Sequence, residues 1–566
     1  MASTGIEALL DLLSDFGVRY IFGNPGSTEL PLNDALVGDD RFHYILGLQE
    51  VPVMSMADGF SMASQSLGVV NLHISCGVGN AMGMLYNAFR EGTPLLVTAG
   101  QQDRRLIFEE PILWGELVEV TRPWTKYSVE VRRVEDLPGA LRRAVQAALT
   151  PPTGPVFMSI PVDVQLEWCE SLDMSPIRLP DLRMRPPEAA IQQAVKLLLA
   201  AENPAIVAGS RITESDAMAE LVAVAQTLGT PVFSESGTTH GRLAFPSDHA
   251  LNAQGLPLWS PEVRQKLSEF DVLLVVGMDL LRQYVYHEPS RAIPEKIRVI
   301  HVDEDSRQIG KNYPVEVGIV GATKVALMEL NSALASEMTE TKRAAVTSRV
   351  ADLSKRHRVS RQALRDRITS QSDMRPITPA CLMGALADIL PPDIAVIEEA
   401  VTTTNTTFER LGALKNTSGY FGHRGWALGW GLGCSIGAKI AWPQRPVLAL
   451  LGEGSAMYGI QGLWSAAHHN IPVTFVVSNN AQYQILKIGA KSFQLPHATT
   501  DRYEGLDLVE PEVDMVAMAQ SLGVEARRIN EPDELRDAVQ TSLVENRLAL
   551  FDVPISRETQ SRLDYG

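Results

Sequence analysis

VLALLGEGS (447–455) and, one helical spacer later, VTFVVSNNAQ (473–482) are the stretches that decide the fold of this 566-residue chain. Each opens on an apolar run, 447–451 and 473–477, and each run ends in small or amide residues. Runs apolar on both faces and separated by helix belong to a parallel sheet covered on both sides. Their ends then open on one carboxyl edge, where a Gly-rich turn entering a helix offers backbone N–H groups to phosphate. The Glu453 carboxylate, the Asn480 amide oxygen and the Gln482 backbone carbonyl would gather there as oxygen ligands suited to Mg²⁺ or Ca²⁺. A tight turn alone would account for 452–455. The Asn479-Asn480 pair at the neighbouring strand end argues for a metal-bridged diphosphate.

Outward from this pair, similar runs recur at 68–75, 94–99, 156–161, 205–208, 272–276, 299–302, 395–397 and 548–553, alternating with helix-like stretches. The class is therefore α/β, with parallel sheets flanked by helices. A chain this long exceeds one core, and a prior of roughly 100–200 residues per domain suggests three units. Pro-rich 176–187 and polar, charged 337–379 read as linkers, giving expected domains 1–183, 184–350 and 351–566.

With 50 Lys and Arg against 67 Asp and Glu, the net charge is −17, which repels nucleic acid and anionic membranes. Cys76, Cys169, Cys381 and Cys434 form no C-x-x-C pair, so neither a zinc site nor a disulfide framework is indicated. No basic n-region precedes the first apolar residues, and no apolar run nears the ~20 residues of a membrane span. A cytoplasmic protein is expected.

The N-terminal third carries motifs of its own. GNPGS (23–27) follows Tyr20-Ile21-Phe22, LQE (48–50) follows Tyr44-Ile45-Leu46, and NLHISCGVGNAM (71–82) surrounds His73. On residue type alone, Glu50 is equally a helix N-terminal acid, Ser27 a helix cap and His73 a core histidine.

Taken together, these motifs resemble the thiamine-diphosphate-dependent enzymes, in the branch of acetolactate synthase, pyruvate decarboxylase and benzoylformate decarboxylase, and most closely the last. The resemblance covers nearly the whole chain. It implies a pyrimidine-binding, a middle and a diphosphate-binding domain, with thiamine diphosphate as cofactor and Mg²⁺ or Ca²⁺ bound by Glu453, Asn480 and Gln482. The family has aspartate where Glu453 stands, so the carboxylate here lies one methylene farther out. Glu50 corresponds to the glutamate that hydrogen-bonds the aminopyrimidine ring, and His73 and Ser27 to residues that face the substrate, beside Asn24. The family's second histidine falls on Tyr284 or Val285, with His287 close by and equally readable as a surface histidine.

In the C-terminal third, Glu399, Val401 and Thr402 correspond to the cofactor-edge loop, and Gly452, Gly454, Ser455, Asn480 and Tyr483 to the diphosphate site. Leu428, in FGHRGWALGW (421–430), corresponds to the aliphatic residue wedged between the cofactor rings. Ile485 and Leu486 follow the Asn-Asn motif where the family places its substrate pocket. The glycines at 431, 433 and 437 lack a preceding strand and read as close helix packing rather than a nicotinamide site. FAD in the middle domain is not expected, though nothing in the sequence forbids it.

The expected activity is non-oxidative decarboxylation of a benzoylformate-like 2-oxo acid to an aldehyde and CO₂. A carboligase or lyase of the acetolactate synthase or 2-hydroxyacyl-CoA lyase kind is the alternative, and a non-catalytic cofactor-binding subunit a remote third. Because the family's cofactor lies between subunits, a homodimer is the minimum and a homotetramer is expected.

Overall fold

The computed structural model describes residues 2–235, 241–282, 286–404, 406–415 and 417–559. Among the described residues, three six-stranded, wholly parallel sheets follow one another along the chain, beside a two-stranded antiparallel pair of Ser3–Thr4 with Trp168–Cys169. The first runs His43–Leu46, Tyr20–Gly23, Gly68–Leu72, Leu95–Gln101, Val156–Pro161, Ser128–Glu130 across the sheet. The second runs Asn252–Gly255, Val232–Ser234, Pro204–Ala208, Val272–Val276, Arg298–Asp303, Val317–Val320. The third runs Tyr420–Phe421, Ala395–Glu399, Val447–Gly452, Thr474–Asn479, Ala549–Pro554, Glu525–Arg528. The central strands are buried on both faces, as their unbroken apolar runs require.

The first and third sheets share a core through two helices, Glu50–Ser64 and Trp430–Ala441. Their backbones touch: a Cβ on Gly437 would lie 1.8 Å from the Met56 carbonyl oxygen, and one on Gly59 2.1 Å from that of Cys434. The glycines after Trp430 thus serve helix packing, as expected. Any side chain there would push the two outer domains apart.

The supposed linker at 337–379 is largely helix. Helix Thr323–Glu337 runs into it and Glu340–Ser370 spans 31 residues, so the expected cut near 350 falls inside a helix. Only Leu364 of the longer helix is buried, which erases the apolar period that would have announced it. The Thr339 hydroxyl caps its start, and Arg356 pairs with Asp352 one turn back at 2.8 Å. The stretch 170–187 has neither helix nor strand. No described helix is long and apolar enough to cross a membrane.

Candidate active site

Glu50 opens the helix Glu50–Ser64 directly after the loop that leaves strand His43–Leu46. The residue is 6% exposed, and its carboxylate accepts a hydrogen bond from Asn80 Nδ2 at 3.0 Å. His73 follows strand Gly68–Leu72 as the N-cap of helix Ile74–Glu91, so the strand stops short of the imidazole rather than carrying it. Gly77 lies between the two groups. A Cβ there would stand 3.1 Å from Glu50 Oε1 and 3.3 Å from His73 Cβ, so the missing side chain lets the Glu50 carboxylate and the root of the His73 side chain approach from either side.

Beneath His73 lies a residue the sequence motifs passed over. Glu29 Oε2 meets His73 Nδ1 at 2.8 Å and accepts from the Gly26 N–H at 3.1 Å, while Oε1 accepts from the Gly100 N–H and the Thr28 hydroxyl, both at 2.8 Å. With Nδ1 engaged, Nε2 is the ring nitrogen left for chemistry. A Cβ on Gly26 would overlap His73 Nδ1 at 2.0 Å, which gives the GNPGS glycine its reason. The three-residue spacing of Gly26 and Glu29, that of a side chain reaching back to a turn's first N–H, was the available signal. Ser27 is exposed at the start of the turn Ser27–Glu29, and Asn24 ties this loop to the Gly47 carbonyl at 2.9 Å.

The third sheet presents a second set. Glu399 ends its strand with both oxygens capping the helix Trp430–Ala441: Gly429 N–H and Trp430 N–H reach Oε1 at 2.9 and 3.0 Å, and Gly431 N–H reaches Oε2 at 3.0 Å. Burial outweighs these donors and pushes its carboxyl up to about 8. His423 Nε2 lies 3.8 Å from Glu399 Oε1, and burial holds that imidazole down at about 4. Leu428 stands 37% exposed between two clamps. One is Glu399 on residues 429–431. The other is Asn87, whose amide grips both the N–H and the carbonyl of Ala427, at 3.0 and 2.8 Å.

Gly452 ends strand Val447–Gly452, and Glu453 begins a one-turn helix Glu453–Ala456; a second helix, Gly462–His468, completes the expected spacer. Glu453 Oε1 and Asn480 Oδ1 converge on one N–H, that of Gln482, at 3.0 and 3.1 Å. Burial raises the Glu453 carboxyl, against the Gln482 N–H that lowers it. Ser455 Oγ donates to the Glu399 and Gly452 carbonyls at 2.9 and 3.0 Å. The Tyr483 ring fills the space over Gly454, where a Cβ would meet Cε1 at 2.9 Å. Val401 and Thr402 are half-buried at the start of the turn Val401–Thr404, and Ile485 and Leu486 fall in the first turn of helix Gln484–Ser492, with Leu486 48% exposed.

The structure thus assembles two sets, one on each outer sheet; among the described residues no hydrogen bond joins Glu50 or His73 to Glu399 or Glu453, and Asn87 on Ala427 ties the first domain to the second set. His287 belongs to neither: its ring stands edge-on to Trp259, centroids 5.0 Å apart, in a small cluster with Leu258 and Trp426. Trp426 lies two residues before Leu428, so the cluster approaches the second set. Tyr284 and Val285 lie outside the described residues.

The residues fit a diphosphate-bearing cofactor with a divalent cation. The donor set is all oxygen with a single carboxylate, and among the described residues no cluster of three His, Cys, Asp or Glu offers another metal site. Glu50 is buried, with Gly77 closely packed against its carboxylate.

Comparison with known proteins agrees. Residues 3–111 match the family described as Thiamine pyrophosphate enzyme, N-terminal TPP binding domain, residues 191–330 the central domain, and residues 401–553 the C-terminal TPP binding domain. Benzoylformate decarboxylase of Pseudomonas aeruginosa is 31% identical over 560 residues, 97% of this chain and 98% of that protein. A probable acetolactate synthase large subunit of Methanocaldococcus jannaschii is 27% identical over 573 residues, 97% of this chain and 92% of the other. Two solved structures superpose with TM-scores of 0.86. They are benzoylformate decarboxylase from Polynucleobacter necessarius (28% identity, 99% and 100% coverage) and a thiamine diphosphate-dependent 4-hydroxybenzoylformate decarboxylase from Rhodococcus jostii RHA1 (29%, 99% and 100%).

Proposed function

The chain belongs to the thiamine pyrophosphate enzymes, and from that premise we propose that it decarboxylates an aromatic or branched 2-oxo acid, benzoylformate-like, to the aldehyde and CO₂. The observation that supports this reading is the pair of acid–base groups brought to either side of Gly77: buried Glu50, and His73 oriented by Glu29.

Thiamine diphosphate, when bound, supplies the nucleophilic carbon and the electron sink that allow a 2-oxo acid to lose CO₂. Glu453, Asn480 and the Gln482 carbonyl would hold Mg²⁺ or Ca²⁺ and through it the diphosphate. Gly452, Gly454, Ser455, Val401, Thr402 and Tyr483 would line the site, and Leu428, fixed from both sides, would set the cofactor's bend. Glu50 Oε1 would hold the proton shared with the aminopyrimidine ring. The Ser27 hydroxyl would donate to the substrate carboxylate, and His73 Nε2 would carry a proton to the nascent aldehyde while Glu29 keeps the proton on Nδ1. Ile485 and Leu486 would exclude water and set pocket size.

His287 would complete the pocket from the middle domain. With the two sets on separate outer sheets, we place the working site between two copies, in a homodimer or a homotetramer of dimers. The acetolactate synthase relatives support a second reading, in which a second carbonyl compound takes the place of the final proton.

Incubation with thiamine diphosphate, Mg²⁺ and a panel of 2-oxo acids, with CO₂ and products identified, tests this. Aldehyde from benzoylformate or a branched 2-oxo acid is expected. In the same panel Ile485→Ala should raise kcat/KM for the larger acids by roughly 10–200-fold. Acyloin as the sole product would select the second reading.

A further inference from the structure

Among the described residues, the middle sheet has a cavity at its amino edge. Parallel sheets usually receive ligands at the carboxyl edge, where Arg211 holds Asp279 and Asp303 and where, among the described residues, a cavity of about 20 Å³ lies beside Gly209 and Glu235. At the amino edge, under strands Val232–Ser234 and Asn252–Gly255 and roofed by helix Glu340–Ser370, lies a cavity of about 320 Å³. That is the size of a small-molecule site, roughly 300–1,000 Å³.

Its wall is of two kinds. Phe233, Phe270 and Leu251 form a buried apolar floor, the two rings meeting edge to face with centroids 5.7 Å apart. Opposite stand three cations. Arg356 is taken by Asp352 at 2.8 Å and Glu269 at 3.8 Å, and Arg349 donates to the Leu228 and Gly229 carbonyls at 2.6 and 3.3 Å. Lys266 is different. Its Nζ has one long hydrogen bond, 3.4 Å to the Gly255 carbonyl, and stands 5.7 Å from the Phe233 ring centroid. Among the described residues no carboxylate comes within the 4.0 Å of an ion pair. Burial depresses this amine, and the Glu409 carboxylate, engaged with the Ser234 hydroxyl at 2.6 Å, acts on it only from a distance.

We propose that this cavity binds a small aromatic carboxylic acid, its carboxylate on Lys266 Nζ and its ring against Phe233 and Phe270. An ammonium with three donors and one long bond favours an anion. A bare inorganic anion would leave the phenyl floor wet, and a neutral arene would leave the ammonium unmet. Lys266, Arg349 and Arg356 against Glu269 and Asp352 leave a surplus of one positive charge, which suits a monoanion and not a nucleotide. The occupant would join the middle sheet to the helix whose Arg361 packs on Gly412 of the third domain, where a Cβ would lie 2.2 Å from Nη2. The site does not depend on which 2-oxo acid is turned over.

4-Fluorobenzoate titrated into the full-length protein and followed by fluorine NMR tests it. Saturable binding to wild type is expected and should persist in His73→Ala, which separates this site from the catalytic one. Lys266→Met should weaken binding by about tenfold or more, as should Ser360→Trp, an exposed position at the cavity mouth, with turnover unchanged in both. No saturable binding, its complete loss in His73→Ala, or wild-type binding by Lys266→Met and Ser360→Trp would overturn the proposal.

Discussion

Buried acids at the edge of the middle sheet and buried acids on the two outer sheets are held in opposite ways. In the middle domain Arg211 bonds both Asp279 and Asp303, at 2.9 and 2.8 Å, and Arg424 reaches from the third domain to Glu91 of the first at 3.2 Å and to Glu214 at 2.7 Å. Burial acts to raise the Asp279 carboxyl, but the guanidiniums of Arg211, Arg424 and Arg282 hold it well below the carboxylate range. Glu50, Glu399 and Glu453 meet only N–H and amide donors. At Asp279 the guanidiniums settle the charge, whereas burial still pushes Asp303 up to about 6 against Arg211; both acids serve architecture. Glu399 and Glu453, met by neutral donors, have their carboxyls raised by burial, which suits a proton-holding or metal-binding group.

Breaking one member of each class separates their roles, and the largest effect is expected at Glu50. Glu50→Gln keeps the shape and the Asn80 contact while removing the exchangeable proton, so turnover should fall by roughly 10²–10⁴-fold with the melting temperature nearly unchanged. A wild-type rate would move Glu50 into the architectural class. Arg211→Met should do the reverse. It strands Asp303, whose side chain has no exposure, and breaking a buried pair from one side costs about 3–5 kcal/mol. The melting temperature should drop while kcat per folded molecule holds. A variant that melts normally and turns over slowly would erase the distinction.

The same contrast separates what was legible in the sequence from what was not. Strands buried on both faces announced themselves, and Val156–Pro161 and Val272–Val276 lie where their runs predict. Tyr420–Phe421 and Val232–Ser234 are too short to carry a period, and Glu340–Ser370 has too few buried residues to show one. Site residues that sit in contiguous motifs, such as Glu50 and Glu453, were readable. Glu29 was not, because its work depends on Gly100 and His73, 71 and 44 residues away. Asn87 grips Ala427 from 340 residues away, and the middle-sheet pairs of Arg211 span 68 and 92. Pairings of that range are properties of the fold alone.

Asp58 sharpens the comparison by pH, with the smallest effect. It lies in the interface between helices Glu50–Ser64 and Trp430–Ala441 and, like the outer acids, has no cation bonded to it: Trp430 Nε1 donates to Oδ2 at 2.6 Å. Burial pushes its carboxyl from 3.8 up to about 6, against the lowering donors Thr93 and Trp430. The folded state therefore holds the proton more tightly than the unfolded chain. Stability from this group is fully present below about 3.8 and is lost as pH rises through about 6. At about 1.4 kcal/mol per pH unit, that rise corresponds to about 3 kcal/mol. Asp58→Asn keeps an oxygen for the indole N–H and cannot ionise. Its urea midpoint should exceed that of wild type at pH 8, and the gap should close as pH falls toward 4. A difference between the two proteins that stays constant across this range would mean that Asp58 is ionised throughout, with its charge settled as at Asp279.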